Sequence, residues 1–376
     1  MLEEPRKSKY ACEIACRGAQ SARDAIPMKL IIQIPCFNEA ATLAIALAEL
    51  PKEVPGFSSV EVLVIDDGSA DDTVRVARAN GVHHVVGFRA NQGLAAAFML
   101  GIHAGLERGA DVIVNTDADN QYCAADIPKL VQPILDGRAD LVIGARPIAE
   151  IAHFSPIKKL LQRFGSWVVR RVSKTDVRDA PSGFRAISRE AALALNVFNG
   201  YTYTLETIIQ AGQKGMSVVS VPIRVNGELR PSRLVRSIPN YVKRSILTMF
   251  RIFVVYQPLK FFLTVGLLPF LAGVAIGARF LYFFVSGTGG GHIQSLILAA
   301  VLLLLGAQTF LLAIVADLVG VNRRLLEELQ RHERARLLHR AAHLDAMSGS
   351  IAAPTGPTLA PSTNPAPTRP PLQPAR

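Results

Sequence analysis

The sequence predicts an α/β domain on a mostly parallel, doubly wound sheet, followed by amphipathic interface helices and two membrane-spanning helices. Three observations carry this reading. Short apolar, β-branched runs alternate with helical periodicity between Met28 and about Val225, the signature of βαβ units. Polar clusters follow the ends of these runs, where open parallel sheets bind their ligands. Two long stretches, 261–278 and 293–316, carry no charge and appear only after the alternation has ended.

The strands are read at 30–34, 60–65, 84–87, 112–115 and 141–144, with helical patterns after them such as 42–50 and 126–135. Residues 1–27 have neither periodicity nor the apolar core of a signal peptide. They read as a disordered or misassigned extension, with Met28 the true start. The catalytic domain is then 28–230 and the juxtamembrane amphipathic segment 231–258. In that segment Leu234, Ile238, Tyr241, Val242, Ile246, Met249, Phe253 and Tyr256 recur at three and four residues among Arg236, Lys243, Arg244 and Arg251. Such a basic amphipathic pattern suits a headgroup boundary, or packing against the catalytic domain. Two spans follow within 259–318, the first extending past Arg279 or starting before Phe261, since a span needs about 20 apolar residues. A basic helix at 319–347 and a Pro/Ala-rich disordered tail at 348–376 complete the chain.

Charge fixes an orientation. The 376 residues carry a formal +11, and the loop between the spans, "VSGTGGGHIQS", has no Lys or Arg. Arg230, Arg233, Arg236, Lys243, Arg244, Arg251 and Lys260 precede the spans, and Arg323, Arg324, Arg331, Arg334 and Arg336 follow them. The positive-inside rule therefore places both termini and the large N-terminal region in the cytosol of a multi-pass cell (inner) membrane protein. No basic patch with interleaved aromatics marks a nucleic-acid partner. The four cysteines, Cys12, Cys16, Cys36 and Cys123, lack paired spacing and nearby His, which argues for free thiols rather than zinc or disulfides.

The strand ends carry "PCFNE", "DDGS", "TDADNQ" and "GAR". Asp117 and Asp119 could be solvated turn residues or ligands of a hard cation. Asp71 or Asp72 could simply cap a helix. Helix capping and solvation explain each cluster alone but not the convergence of all four on one crevice.

Taken in order and spacing, "IPCFNEA", "VIDDGS", "NQGLAAAFMLG", "TDADNQ", "GAR" and "SGFRAISREA" resemble inverting family-2 glycosyltransferases. Within them the chain is most similar to the dolichyl/polyprenyl-phosphate sugar transferases of the dolichol-phosphate mannose synthase type. The resemblance covers roughly 29–262 and implies a Rossmann-like, nucleotide-sugar-binding fold of GT-A type. It implies Mg²⁺ or Mn²⁺ at Asp117, Asp119 and Gln121, with Asp117 shared between metal and nucleotide. It places Pro35, Phe37, Glu39 and Asp67 in the base and ribose pocket, and Arg146 on phosphate, although Ala145 stands where the family often has Ser or Asp. The chemistry falls to Asp119 and Arg185. The partners implied are a nucleotide-sugar donor and a polyprenyl phosphate in the membrane. A second copy of the chain stays open as a partner.

A polyprenyl phosphate is already an oxyanion near neutral pH, its second pKa lying near 6, so it needs cations rather than a general base. The candidates are Arg163, Ser182, Arg185, Arg230 and Arg233, beside Lys158 and Lys159 on a helix face that is equally well read as solvated. A processive polysaccharide synthase would be expected to carry a Gln-x-x-Arg-Trp motif, which the single Trp167 in "RFGSWVVRR" does not supply. A non-catalytic membrane scaffold would not need to keep the D-x-D and arginines together.

Overall fold

The computed structural model describes residues 27–147, 166–167, 169–171, 173, 175–197, 203–227, 250–251, 254–287 and 293–351. Of the sequence expectations, the N-terminal extension, Lys158, Lys159, Arg163, Arg230, Arg233, most of the juxtamembrane segment and nearly all of the tail lie outside them.

Seven strands form one sheet: β1 (Lys29–Cys36), β2 (Ser59–Asp66), β3 (His84–Gly87), β4 (Val112–Asn115), β5 (Leu141–Ala145), β6 (Arg185–Ser188) and β7 (Val218–Pro222), in the order β3-β2-β1-β4-β6-β5-β7. The α-helices whose full extent falls among the described residues before the first apolar segment are α1 (Ala40–Ala48), α2 (Thr73–Ala79), α3 (Leu94–Glu107), α4 (Ile127–Leu135), α5 (Arg189–Ala194) and α6 (Thr204–Gln213). Two long helices follow, α7 (Pro258–Val285) and α8 (Ile293–Ile351).

The parallel pairs are β1–β2, β1–β4, β2–β3 and β5–β7. β6 runs antiparallel between β4 and β5. The continuous apolar runs of β1 and β4 follow from burial on both faces. Helix α3 buries nine residues and packs on β1 and β2. On the other face, α4 closes a core of Leu30, Ile32, Val112, Val114, Ile127, Leu130, Val142, Phe184 and Ala186.

The five expected strands are present, with β1 and β2 longer at both ends. β6 and β7 were not anticipated. Helix α1 is shifted toward Ala40, and α4 begins after Asp126 rather than at it. The first apolar helix extends both ways from the uncharged run, from Pro258 through Arg279 to Val285. The basic stretch from 319 is no separate element: it continues α8 without a break, and no proline lies between Asp317 and Arg336 to end the helix. Both helices are long and apolar enough to cross a membrane, and only 11% and 17% of their most apolar windows are buried.

The chain divides into two compact units, 1–334 and 335–376. The first holds the sheet, α7 and most of α8. The second holds the last turns of α8.

Candidate functional site

Strands β1, β2, β4 and β5 all point the same way, because β6 is antiparallel to both β4 and β5. Their carboxyl ends therefore share one edge, and the antiparallel register sets Arg185 opposite Asn115 and Ile143 at that edge. The four polar clusters meet as the sequence required. Two residues here, Asn38 and Asn120, have φ of 55° and 56°, a left-handed conformation that Asn adopts more readily than most side chains. Asn38 stitches the first two loops together: its N–H donates to Ser69 Oγ (2.9 Å) and its Oδ1 accepts from Ala70 N (2.8 Å). Asn120 Nδ2 donates to Glu49 (2.9 Å), and Asn226 Nδ2 donates to the other oxygen of the same carboxylate (3.0 Å).

Asp117, Asp119 and Gln121 project from the loop after β4, and all three are partly accessible. Asp119 Oδ1 accepts the Gln121 N–H at 3.1 Å, which shapes the turn. Burial, then the neighbouring charge of Asp119, push Asp117 up to about 7, against the pull of Arg146 and Arg185. Two carboxylates held this close, with charge the protein does not fully neutralise, fit a divalent cation. Among the described residues no group of three His, Cys, Asp or Glu forms. The protein would supply two carboxylates and the Gln121 amide oxygen, a hard, all-oxygen set suited to Mg²⁺ or Mn²⁺ with ligand positions left for substrate and water.

Beneath Asp117 lies a buried polar floor. Gln33 Nε2 donates to Asn115 Oδ1 (2.8 Å), and Asn115 Nδ2 donates to the Gly183 carbonyl and the Tyr203 hydroxyl (both 2.9 Å). The Gly183 N–H donates to the Tyr122 hydroxyl at 2.9 Å. A Cβ at Gly183 would sit 3.0 Å from the Tyr203 hydroxyl and 3.1 Å from the Asp117 carboxylate, so a larger residue would push these side chains aside by a few tenths of an ångström. The Tyr203 ring stacks on Phe98 with centroids 3.9 Å apart.

The arginines depart from expectation. Arg185 is fully buried. Its guanidinium donates to the Ser182 carbonyl (2.9 Å), the Ala180 carbonyl (2.9 Å) and Thr207 Oγ1, with the Tyr203 ring 5.5 Å away. Burial pulls its pKa down to about 10, so it stays charged. It braces the 180–185 turn from within instead of facing an acceptor. Ser182 Oγ, also assigned to the acceptor, is buried and has no hydrogen-bond partner among the described residues. Arg146 is clamped by Asp179: Nε to Oδ2 at 2.7 Å, Nη2 to Oδ1 at 3.0 Å, and its own N–H to Oδ2 at 3.2 Å. Asp67 spends both oxygens on the Gln92 and Gly93 N–H groups (2.7 and 2.9 Å) at the start of α3. Pro35 is buried within β1, while Glu39 Oε2 accepts from Thr42 (3.0 Å). Phe37 stands out at this edge, 41% exposed. Asp71 accepts the N–H groups of Ala40 and Thr73, and Asp72 pairs with Arg75.

Sequence reasoning missed Asp179, Tyr122, Tyr203, Asn115 and Glu49. One signal was available: Gln33 and Asn115 are polar residues in apolar strands, and the β1–β4 register pairs them.

The family model for glycosyl transferase family 2 matches residues 31–195. An undecaprenyl-phosphate mannosyltransferase of Micrococcus luteus is 31% identical over 219 residues, covering 55% of this chain and 88% of that protein. The chain belongs to glycosyl transferase family 2. A polyprenol monophosphomannose synthase of Mycolicibacterium smegmatis is 29% identical over 206 residues, covering 52% of this chain and 76% of that one. A glucosyl-3-phosphoglycerate synthase of Mycobacterium tuberculosis, solved with Mn²⁺, UDP-glucose and phosphoglyceric acid, aligns with a TM-score of 0.48 at 22% identity over 66% of this chain and 86% of that one. As a family 2 glycosyltransferase the protein is a transferase enzyme of GT-A type, and the matched span contains the whole edge from Pro35 to Arg185.

Proposed function

We propose that this glycosyltransferase moves a sugar from a nucleotide-sugar to a polyprenyl phosphate, with inversion at the anomeric carbon and help from Mg²⁺ or Mn²⁺, at the cytosolic face of the cell (inner) membrane. The observation that carries the proposal is the Asp117–Asp119–Gln121 oxygen cluster in one compact unit with two helices apolar enough to span a bilayer. The names of the relatives from Micrococcus luteus and Mycolicibacterium smegmatis support a polyprenyl-phosphate acceptor.

Asp117, Asp119 and the Gln121 amide oxygen would hold the cation, which, when bound, would supply positive charge against the leaving nucleoside diphosphate. The Gly183–Tyr122–Tyr203 floor keeps Asp117 from turning away, and Arg185 holds that floor. The exposed Phe37 ring offers a face for the nucleotide base. A phosphate oxygen of the acceptor attacks the anomeric carbon opposite the diphosphate: the new C–O bond forms as the bond to the diphosphate oxygen breaks, and no general base is required. Arg163, Arg230 and Arg233 are the cations assigned to the acceptor phosphate.

The test is to incubate purified protein with polyprenyl phosphate and a panel of radiolabelled nucleotide-sugars. One label should partition into the organic phase. Asp119→Asn should abolish that transfer while the domain stays folded, and EDTA should stop the wild-type enzyme. Near-normal activity in either case would overturn the metal reading. Label appearing in a long water-soluble polymer would replace the lipid product with a processive one.

A further inference from the structure

The charged stretch of α8 reads from sequence only as a cytosolic basic helix, yet the structure packs it against the catalytic domain. Glu327 is only 5% exposed. Its carboxylate takes Lys214 Nζ, just beyond α6, at 3.1 Å, and Arg323 Nε at 2.9 Å. The Arg323 guanidinium lies 4.4 Å from the centre of the Tyr256 ring. The Tyr256 hydroxyl donates to Glu206 (3.1 Å) and accepts from Gln210 (3.4 Å), both on α6. Farther along α8, Gln330 accepts from Asn196 Nδ2 (3.3 Å). Arg334 donates to Asn196 Oδ1 (2.6 Å) and the Leu195 carbonyl (3.3 Å). Asn196 is itself held by Gln210, whose Oε1 accepts its N–H at 2.9 Å.

A solvated helix would leave Glu327 in water. Burying a carboxylate is tolerated only where charged partners and hydrogen bonds replace its hydration, as Lys214 and Arg323 do here. The connection to the site is α6. Tyr203, its N-cap, and Thr207 lie four residues apart and face the polar floor, Thr207 receiving Arg185. Glu206 and Gln210, also four apart, form the neighbouring stripe and face Tyr256. The two stripes overlap along the ten residues of α6, so the clasp and the floor beneath Asp117 sit on adjacent faces of one rigid helix.

We infer that the charged part of α8 is a docking arm. Through it Tyr256, Arg323 and Glu327 clamp α6 to the end of the second apolar helix and fix the height and tilt at which the site meets a lipid-borne acceptor. This rests on the polyprenyl-phosphate reading above. The three are positioning residues, touching no substrate. A soluble acceptor diffuses to the site from any direction, but a lipid phosphate is presented at one depth, so only the lipid reaction depends on the clamp.

The experiment uses the full-length protein in lipid nanodiscs, with Tyr256→Leu, Arg323→Ala and Glu327→Gln. The KM for long-chain polyprenyl phosphate should rise about ten-fold with kcat little changed, the pattern of lost substrate positioning. The KM for nucleotide-sugar, and turnover of a short-chain, water-soluble prenyl phosphate, should stay near wild type. Arg323→Lys, which keeps the charge, should recover part of the loss. Equal losses with both acceptors, or weakened nucleotide-sugar binding, would make the clasp a folding element only and overturn the inference. Amide exchange needs no substrate and separates the two readings. In wild type, 320–334 and α6 should be protected together, and Tyr256→Leu should release both. A freely exchanging arm in wild type would remove the docking whatever the acceptor proves to be. Transfer to neither acceptor, with the arm protected, would instead refute the acceptor reading, and with it the claim about lipid depth.

Discussion

Arg146 and Asp179 show how strongly one pair governs this site. Their side chains are 8% and 1% exposed, and the contact is bidentate, so neither charge has water to fall back on. The carboxylate also fixes the Arg146 N–H and so sets the backbone path out of β5. Removing one partner of such a pair leaves an uncompensated buried charge, which costs about 3–5 kcal/mol. Asp179→Asn should therefore lower stability by about that amount in chemical denaturation followed by circular dichroism. Arg146→Lys should also be destabilising, by a smaller margin, because an ammonium retains charge but loses the planar fork. If both variants were as stable as wild type, the clamp would contribute nothing to folding and Arg146 would be free to serve phosphate. Arg185 behaves differently: it donates to backbone carbonyls and Thr207, so it acts as a brace that keeps Gly183 against Asp117.

At the scale of elements, α4 is tied to the chain leaving β7 through Asp126. Burial alone would raise this carboxyl. Hydrogen bonds from the Arg224 side chain and N–H, and from Lys129, outweigh it and hold Asp126 down at about 2. Because the folded value lies below the unfolded one, near 3.9, the contribution is present above about pH 4 and is lost as pH falls through about 2. The Arg224 side chain is 62% exposed and largely screened, so the 2.7 Å backbone N–H bond to the buried carboxylate carries most of the effect. Asp126→Asn should melt lower at pH 7 and show a flatter decline between pH 4 and pH 2. An unchanged acid limb would exclude Asp126 as its source. Strands β4 and β5 were legible because strands buried on both faces read as near-continuous apolar runs, and β1 to β3 because Val, Ile and Leu still dominate them. β6 was not, since "RAIS" is four residues led by an arginine and exists only through pairing with β4 and β5. The polar edge was legible as a set of strand ends. The Arg146–Asp179 pair was not, because 33 residues separate the partners. Arg185 was read as facing ligand because its motif resembles the family's and a lipid phosphate needs cations, and nothing local in "SGFR" reveals its enclosure.

For the whole molecule, the decisive feature is the contrast between the buried sheet and the bare surfaces of α7 and α8. Leu268, Leu281, Val285 and Leu311 are 78%, 60%, 79% and 65% exposed, far more apolar surface than a soluble helix pair leaves to water. Where the two helices touch, small residues set the spacing: a Cβ at Gly273 would lie 2.9 Å from Leu303, and one at Gly306 would lie 2.7 Å from Phe270. Close approach over glycine is how helices associate in lipid, where apolar surface gains nothing by leaving its neighbours. The proposed cytosolic orientation of the catalytic domain rests on charge, with Arg323 and Arg324 at the end of the second apolar stretch and no Lys or Arg in 286–292. In a cysteine-free background, a cysteine at Gly290 should therefore react with a membrane-impermeant maleimide added to intact cells, and one at Glu328 should not. The Glu328 side chain is 56% exposed, so protection there reports the bilayer and not the fold. Labelling at Glu328 instead of Gly290 would put the Asp117–Asp119 edge on the side away from cytosolic nucleotide-sugars, and the proposed donor would have no route to the site.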